Sequence, residues 1–327
     1  MVSPVTASND NAAMNAPAQS ASLLTMIAPR VLAQADRFRN GFLDARPFAH
    51  CVIEDFFTDA FARTLLDAFP AFERDNLLNE DGKPGGKSVA EQMHALGEGY
   101  ARLDRCVQST GFLELIGRIT GISDLLHDPW YFGGGAHENR DGQSLDNHID
   151  FNYHPGTGWH RRLNLIVYLN SEWEESWGGA LELHRDPYNP EADEVVSIAP
   201  LFNRCVIFET TEHSWHGFPK IQLPADRSGL SRKSIALYFY TRDRPEEQTA
   251  QAHSTIYVDR TLPAHFKPGR VLSERDCVEL HDLIDRSSDH NRRLYVEISR
   301  LQTELGQTLL SRIIQGIRRL LARGRLR

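Results

Sequence analysis

The chain has 327 residues, 41% of them hydrophobic and 24% charged, with a formal net charge of −8 from 44 acidic and 36 basic side chains. That is ordinary globular composition with length enough for a sizeable core, and the acidic balance argues against a broad nucleic-acid-binding surface on the body of the protein. No run of about 18 apolar residues is present, so no transmembrane segment is expected. The N-terminus lacks the basic start and apolar stretch of a secretory signal. Cys51, Cys106, Cys205 and Cys277 lie far apart and form no CxxC pair. That usage fits a reducing compartment, here read as cytoplasmic, and neither a zinc–thiolate site nor a disulfide framework.

Residues 1–22 are mostly Ala, Ser, Asn, Pro and Met. They offer too little apolar surface to offset the entropy of ordering, which predicts a disordered tail. Residues 23–125 read as a helical support. Leu23 to Phe42 has helical spacing, Pro47 to Ile53 reads as a strand, and Thr58 can cap a helix burying Leu65, Leu66 and Phe69. Asp75 to Gln92 reads as a polar, Gly-rich loop, and Leu103 to Leu126 as helix broken at Gly121.

From Trp130 to Tyr240 the texture changes to short aromatic and β-branched runs separated by Gly, Pro, Asn and Asp. Examples are Leu163–Leu169, Ala180–His184, Glu194–Ile198, Asn203–Phe208 and Ser234–Tyr240. The spacing predicts an antiparallel sandwich or barrel over residues 126–245. Residues 246–272 read as a linker and residues 273–327 as a helical extension. In that extension Leu294, Ile298, Leu301 and Leu305 follow heptad steps, which suits a homodimer. Its end carries Arg312, Arg318, Arg319, Arg323, Arg325 and Arg327 beside an apolar stripe. Such a helix could touch anionic lipid or nucleic acid; a solvated face or a dimerising helix would read the same way.

Fourteen histidines invite a search for metal spacing. Two His-x-Asp triplets occur, His148-Ile-Asp150 and His184-Arg-Asp186. In an extended segment residues i and i+2 share a face, so an imidazole and a carboxylate can grip one metal from one side. A second His from a distant strand completes a facial triad that leaves positions open on iron. Around His148 the chain shows an ordered series. The glycine-rich Tyr131–Gly135 comes first, then His148 and Asp150, then Tyr168-Leu169-Asn170 at a strand end. Gly178-Gly179, His216-Gly217-Phe218 and Arg232 heading a last strand complete it. Strand parity puts Arg232, Ser234, Ala236 and Tyr238 on one face and Ile235, Leu237 and Phe239 on the other. Small Ser and Ala beside an inward Arg leave room for a ligand, and Asn164, Ile166 and Tyr168 share a face on their own strand.

This series, over about residues 47–245, resembles the Fe(II)/2-oxoglutarate-dependent dioxygenase superfamily, most closely its prolyl-4-hydroxylase-like branch. The resemblance implies a mainly β fold: a double-stranded β-helix, or jelly-roll/cupin-like core, with N- and C-terminal α-helices. It implies His148, Asp150 and His216 as Fe(II) ligands, Arg232 as the partner of the distal carboxylate of 2-oxoglutarate, and Tyr168 offering its hydroxyl to that carboxylate. It further implies O2 as co-reactant, with ascorbate dependence a family habit. The activity implied is hydroxylation of an unactivated C–H bond, with release of succinate and CO2. The substrate implied is a prolyl residue in a peptide, or another amino acid or small molecule. The alternative from another class is a non-catalytic cupin-like binding or scaffold module acting through its terminal helices.

Blander readings stand beside these. His184 and Asp186 read as a strand end and turn. His213 competes with His216 as the distal ligand. His154 and His160 read as shaping the loop after the metal motif or touching substrate, and His137 and Glu138 as surface, with the pocket edge as the alternative. Arg161-Arg162 reads equally as steering an acidic substrate or as a solvated strand start. Trp159, Trp173, Trp177 and Trp215 read as packing, with substrate stacking the sharper idea.

Overall fold

A computed structural model of the chain describes residues 22–71, 88–90, 92–258, 262–263 and 265–307. The expected tail (1–22, but for its last residue), most of the expected loop at 75–92 and the arginines from Arg312 onward lie outside the described residues. The chain divides into two units, residues 1–258 and 259–327.

The first unit begins with helices α1 (Pro29–Ala33) and α2 (Ala35–Asp44), strand β1 (His50–Ile53) and helix α3 (Asp59–Asp67). Strand β2 (Ser88–Ala90) and helices α4 (Glu98–Val107) and α5 (Thr110–Thr120) follow. The single helical stretch expected at 103–126 is therefore two helices. Ser109 ends the first and caps the second, its hydroxyl accepting the N–H of Phe112 at 3.3 Å. Gly121, at φ +78°, then closes α5 in the left-handed conformation. Thr58 precedes α3 as expected but makes no side-chain cap.

Nine strands follow: β3 (Leu126–His127), β4 (Gly135–Asn139), β5 (Leu145–Ile149), β6 (His160–Tyr168), β7 (Leu181–His184), β8 (Val195–Ile198), β9 (Cys205–Glu209), β10 (Trp215–Phe218) and β11 (Arg232–Thr241). A short β12 (Ile256–Tyr257) comes after them. One sheet runs β1-β9-β6-β11-β4-β2, with β3 also on β11; the other runs β12-β5-β10-β7-β8. Every pairing is antiparallel. From β4 to β11 the chain passes back and forth between the two sheets, except that β7 and β8 are paired neighbours in the smaller one; this is the winding of a double-stranded β-helix.

Alternation along β6 and β11 divides the core. Leu163, Leu165, Val167, Ile235, Leu237 and Phe239 face the helices, packing with Phe42, Phe56, Phe57, Leu103, Phe112 and Ile116. Each such fully buried side chain stabilises the fold by about 1.5–3 kcal/mol over leaving it exposed. The opposite face looks between the sheets, where Tyr168, Leu181, Leu183, Ile198, Val206 and Phe208 form a smaller cluster. The helices thus brace the outside of the sheet whose inside lines the barrel.

Asn203 fastens that brace. Its side chain donates to the carbonyl of Phe57 at 2.8 Å and accepts from the N–H of Phe57 at 3.0 Å. It also sits at φ +58°, which Asn tolerates better than other side chains with a Cβ. The second unit contains helix α6 (Glu274–Gln307). Leu294 and Ile298 of the expected heptads are exposed on it, while the side chains of Leu301 and Leu305 lie outside the described residues.

Two outcomes follow. Asn203→Ala leaves two buried backbone groups unpaired and should lower unfolding stability by about 2–4 kcal/mol in a urea titration. Burial pushes the thiols of Cys51 and Cys106 up to about 12 and that of Cys205 well above its ordinary value, while Cys277 is exposed. A thiol titration of the native chain near pH 8 should therefore count one fast-reacting cysteine, and four once the chain is unfolded in guanidinium.

Candidate metal centre

His148 is the penultimate residue of β5 and His216 sits in β10, directly opposite one another in register. Their ring centroids are 4.3 Å apart. The pairing slips one residue beyond His216, where Phe218 meets Leu145. Gly217 permits this: a Cβ there would stand 2.6 Å from the carbonyl of Leu145 and from Oδ1 of Asn147. Nδ1 of His148 lies 2.8 Å from the carbonyl of Asp146, and Nδ1 of His216 lies 2.9 Å from the carbonyl of Ser214. A carbonyl only accepts, so each Nδ1 carries the proton and each Nε2 presents its lone pair. Burial lowers the pKa of His216 against the pull of Asp150, which favours the neutral, ligating form.

Asp150 completes the cluster. Oδ1 lies 3.7 Å from Nε2 of His148, and Oδ2 lies 3.5 Å from Nε2 of His216. One donor atom from each of the three residues falls within 4.8 Å of the others. Oδ2 is engaged from behind: Asn164 donates to it at 2.8 Å and the Arg161 guanidinium lies 3.2 Å away. Arg161 donates through Nε and an Nη to Oδ1 of Asn164, so the three side chains form a closed loop. Burial pushes the Asp150 carboxyl up, but Arg161, the two histidines and the Asn164 hydrogen bond outweigh it and hold it below the usual carboxylate range. The carboxylate is thus fixed in its ionised form.

Arg161 is 1% exposed, so it is neither a solvated strand start nor a steering charge. Its guanidinium lies 3.7 Å from the ring centre of Tyr238 and 4.4 Å from that of Phe151. Burial works against its charge, but Asp150 and Tyr238 lift its pKa above the ordinary value. A β-bulge aims it inward. Leu163 pairs with Phe239, yet Arg161 pairs with Tyr240, so Arg162 is the extra residue on β6. Arg162 faces elsewhere and pairs with Glu209 at 3.2 Å.

Arg232 heads β11 and is buried in the same barrel. Its Nε donates to the carbonyl of Gly179 at 2.6 Å and an Nη donates to the hydroxyl of Tyr168 at 3.1 Å. Its guanidinium also lies 4.3 Å from the ring centre of Phe218. Gly178 and Gly179 turn that carbonyl toward it; both have positive φ, and a Cβ on Gly178 would meet the Lys220 carbonyl at 2.3 Å. No carboxylate among the described residues reaches Arg232, and burial lowers its pKa against the support of Tyr168. Tyr168 itself stands behind the guanidinium, outside the lining of the cavity.

The three His/Asp side chains and Arg232 open on one cavity of about 190 Å³. Ser234, Ala236 and Tyr238 line it from β11 as their alternation predicts, and Asn164 and Ile166 line it from β6. His137, expected at the surface, lines it too, together with Asn139, because β4 lays its polar residues along the inner face. His213 is exposed and outside the cluster. His184 bonds Asp193 through Nδ1 at 2.6 Å. His154 accepts the N–H groups of Gly156 and Thr157 on Nδ1 and faces Asp128 through Nε2 at 3.3 Å, bracing its own loop. Trp173 and Trp177 pack on each other, and Trp215 on Tyr188.

Residues 134–240 match the family model for the 2OG-Fe(II) oxygenase superfamily. The chain is similar to that superfamily over this stretch. It is 25% identical over 237 residues to a prolyl 3,4-dihydroxylase of Ostreococcus tauri, a match covering 66% of this chain and 42% of that protein. The chain thus spans about two-fifths of the length of that curated relative. Among solved structures it resembles a prolyl hydroxylase of Trichoplax adhaerens in complex with a peptide fragment of the hypoxia-inducible-factor oxygen degradation domain. That likeness has a TM-score of 0.46 and 18% identity, over 66% of this chain and 95% of that one. It also resembles a Phytophthora capsici prolyl 4-hydroxylase, with a TM-score of 0.43 and 19% identity, over 87% of this chain and 77% of that one.

The Asp150–Arg161 pair predicts a specific pattern of stability. Arg161→Met strands a buried carboxylate and should cost about 3–5 kcal/mol in urea unfolding. Adding Asp150→Asn should recover part of that loss; a double variant as unstable as the sum of the two singles would mean that the charges do not interact.

Proposed function

We propose that the protein is an Fe(II)- and 2-oxoglutarate-dependent hydroxylase, with His148, Asp150 and His216 holding the metal and Arg232 holding the distal carboxylate of the diacid. The observation that carries this reading is the donor set itself. Two imidazoles and an ionised carboxylate converge on one point, and a buried guanidinium without an acidic partner among the described residues faces the same cavity. Nitrogen and oxygen donors of this kind suit ferrous iron and leave positions for further ligands. An unpaired buried cation suits an anionic ligand, since burying a charge without a partner is costly.

When bound, Fe(II) and 2-oxoglutarate supply the oxidising chemistry: the diacid and O2 are converted to succinate and CO2 while one oxygen atom enters a C–H bond of the substrate. The protein supplies placement. The Asp146 and Ser214 carbonyls fix the imidazole tautomers, and Asn164 with Arg161 fixes the carboxylate plane. Tyr168 and the Gly179 carbonyl hold Arg232 so that its remaining N–H groups can meet a carboxylate side-on. The Tyr168 hydroxyl, expected to reach the diacid itself, acts in this reading through the guanidinium. Tyr238, Phe151 and Phe218 keep water from the site.

The prime substrate in this reading is a prolyl residue of a peptide. Supporting it is an aromatic rim beside the cavity: Trp130 is 57% and Phe132 38% exposed, and the Phe132 ring lies 5.5 Å from that of Phe151, which lines the cavity. The rim is rigidly set, because the Asp128 carboxylate accepts the N–H groups of both Trp130 and Phe132 at 2.8 Å. Exposed aromatic faces held in place suit the apolar ring of proline and the flat backbone of a peptide. Ascorbate as an auxiliary reductant and a cytoplasmic setting belong to the same reading, the latter supported by four unpaired cysteines. The scaffold alternative is not favoured, since a decayed site would have lost a ligand or the arginine.

Succinate release from 2-oxoglutarate, screened over prolyl peptides and free amino acids, tests the reading. His148→Ala, Asp150→Ala and His216→Ala should each abolish it, with His213→Ala near wild type. Arg232→Ala should raise the half-saturating 2-oxoglutarate concentration at least about tenfold, the loss of a charge-assisted contact. Full turnover in His216→Ala, or an unchanged requirement for the diacid in Arg232→Ala, would contradict the assignment.

A further inference from the structure

The stretch after the last barrel strand reads in the sequence as polar linker, yet residues 250–258 lie in the first unit and dock beside the metal centre. β12 pairs with the outer edge of β5, placing Ile256 opposite Ile149 and Tyr257 opposite His148. β10 occupies the other edge of β5, so this short strand covers the edge that the barrel leaves open. Asn152 reads the stretch in both directions: its amide donates to the carbonyl of Gln251 at 2.8 Å, and its side-chain carbonyl accepts from the N–H of His253 at 3.0 Å. The Tyr153 hydroxyl donates to the carbonyl of Ala250 at 3.2 Å, and the N–H of Val258 donates to the carbonyl of Asn147 at 2.9 Å. Nε2 of His253 lies 3.0 Å from Glu212, in the turn that leads to β10. The anchors therefore sit on the two segments that carry the metal-binding side chains.

Docking brings Thr255 and Tyr257 into the lining of the cavity. The Tyr257 ring lies 5.2 Å from the His148 imidazole, centroid to centroid, and inclined to it by 30°. The Asp146 carbonyl fixes one atom of that imidazole and the Tyr257 ring limits its tilt. Hydrogen-bonded support around a metal-binding imidazole is commonly worth ten- to a hundredfold in metal affinity, and a ring packed on the imidazole acts to the same end.

We propose that residues 250–258 form a wall of the active site, in which Tyr257 positions the His148 imidazole and, with Thr255, bounds the space open to substrate. This rests on the reading of His148, Asp150 and His216 as the metal centre. The role belongs to the aromatic ring packed on the imidazole, so phenylalanine should serve in its place.

Co(II) titration of the metal-free, full-length chain, followed by visible absorption, tests this directly. Tyr257→Phe should bind Co(II) like the wild type. Tyr257→Ala should bind it about tenfold more weakly or worse, with a cooperative urea transition showing that the variant is folded. Asn152→Ala supplies a second route: amide hydrogen exchange at residues 255–258 should accelerate at least about tenfold, and Co(II) affinity should fall with it. Wild-type Co(II) affinity in Tyr257→Ala, or in an Asn152→Ala chain whose stretch has demonstrably loosened, overturns the inference and leaves the metal centre standing. A wild-type chain that takes up no Co(II) overturns both.

Discussion

The buried pairing of Asp150 with Arg161 is the interaction on which the rest of the site depends. A carboxylate cannot stay ionised inside a barrel without a partner, and Arg161 is the largest of the groups that hold this one so. Arg161 supplies the opposite charge, and Asn164 bridges the two groups, so that one oxygen of Asp150 is held from behind. The guanidinium is itself desolvated, and the faces of Tyr238 and Phe151 stand where water would otherwise be. Carboxylate, amide, guanidinium and aromatic rings therefore form a unit whose members each need the others.

The barrel allows such a unit to be built. Its larger sheet has two apolar demands on opposite faces, helices outside and the smaller sheet inside, and the outer face carries most of the hydrophobic core. The inner face is then free to hold polar side chains at one end. Arg232, at the start of β11, and Tyr168, at the end of β6, come together because those strands are antiparallel neighbours, with Ser234 opposite Tyr168. The two guanidiniums differ in one respect: Arg161 has its acid within the chain, whereas among the described residues Arg232 has a hydroxyl, a carbonyl and two ring faces. That difference leaves one a structural cation and, in the proposed reading, suits the other to receive an anion.

Much of this was legible from the residues. β6, β9 and β11 are rich in aliphatic and aromatic side chains in short runs, and their positions emerge within a few residues of the observed bounds. β4, β5 and β10 do not emerge, because Gly135-Ala-His-Glu-Asn139 and Leu145-Asp-Asn-His-Ile149 place polar groups where a core strand would carry apolar ones. β12 is hidden for a different reason: it is two residues long, paired along β5, and the stretch leading into it is held by the side chains of Asn152 and Tyr153 and not by a pattern of its own. Arg161 was out of reach because of the bulge. Strict alternation from Asn164 would turn Arg162 inward and Arg161 outward, and only the extra residue at 162 reverses this. Residues 246–272 read as linker for want of periodicity, although residues 250–258 have a fixed place.

The central claim is that three side chains hold one ferrous ion to which 2-oxoglutarate can bind. It is tested most directly by adding Fe(II) and then 2-oxoglutarate to the full-length protein under anaerobic conditions and recording the visible charge-transfer band of the metal-chelated keto acid. The account predicts a band that saturates at one equivalent of iron per chain and that vanishes in His216→Ala. No band in the wild type, or an undiminished band in that variant, would contradict it.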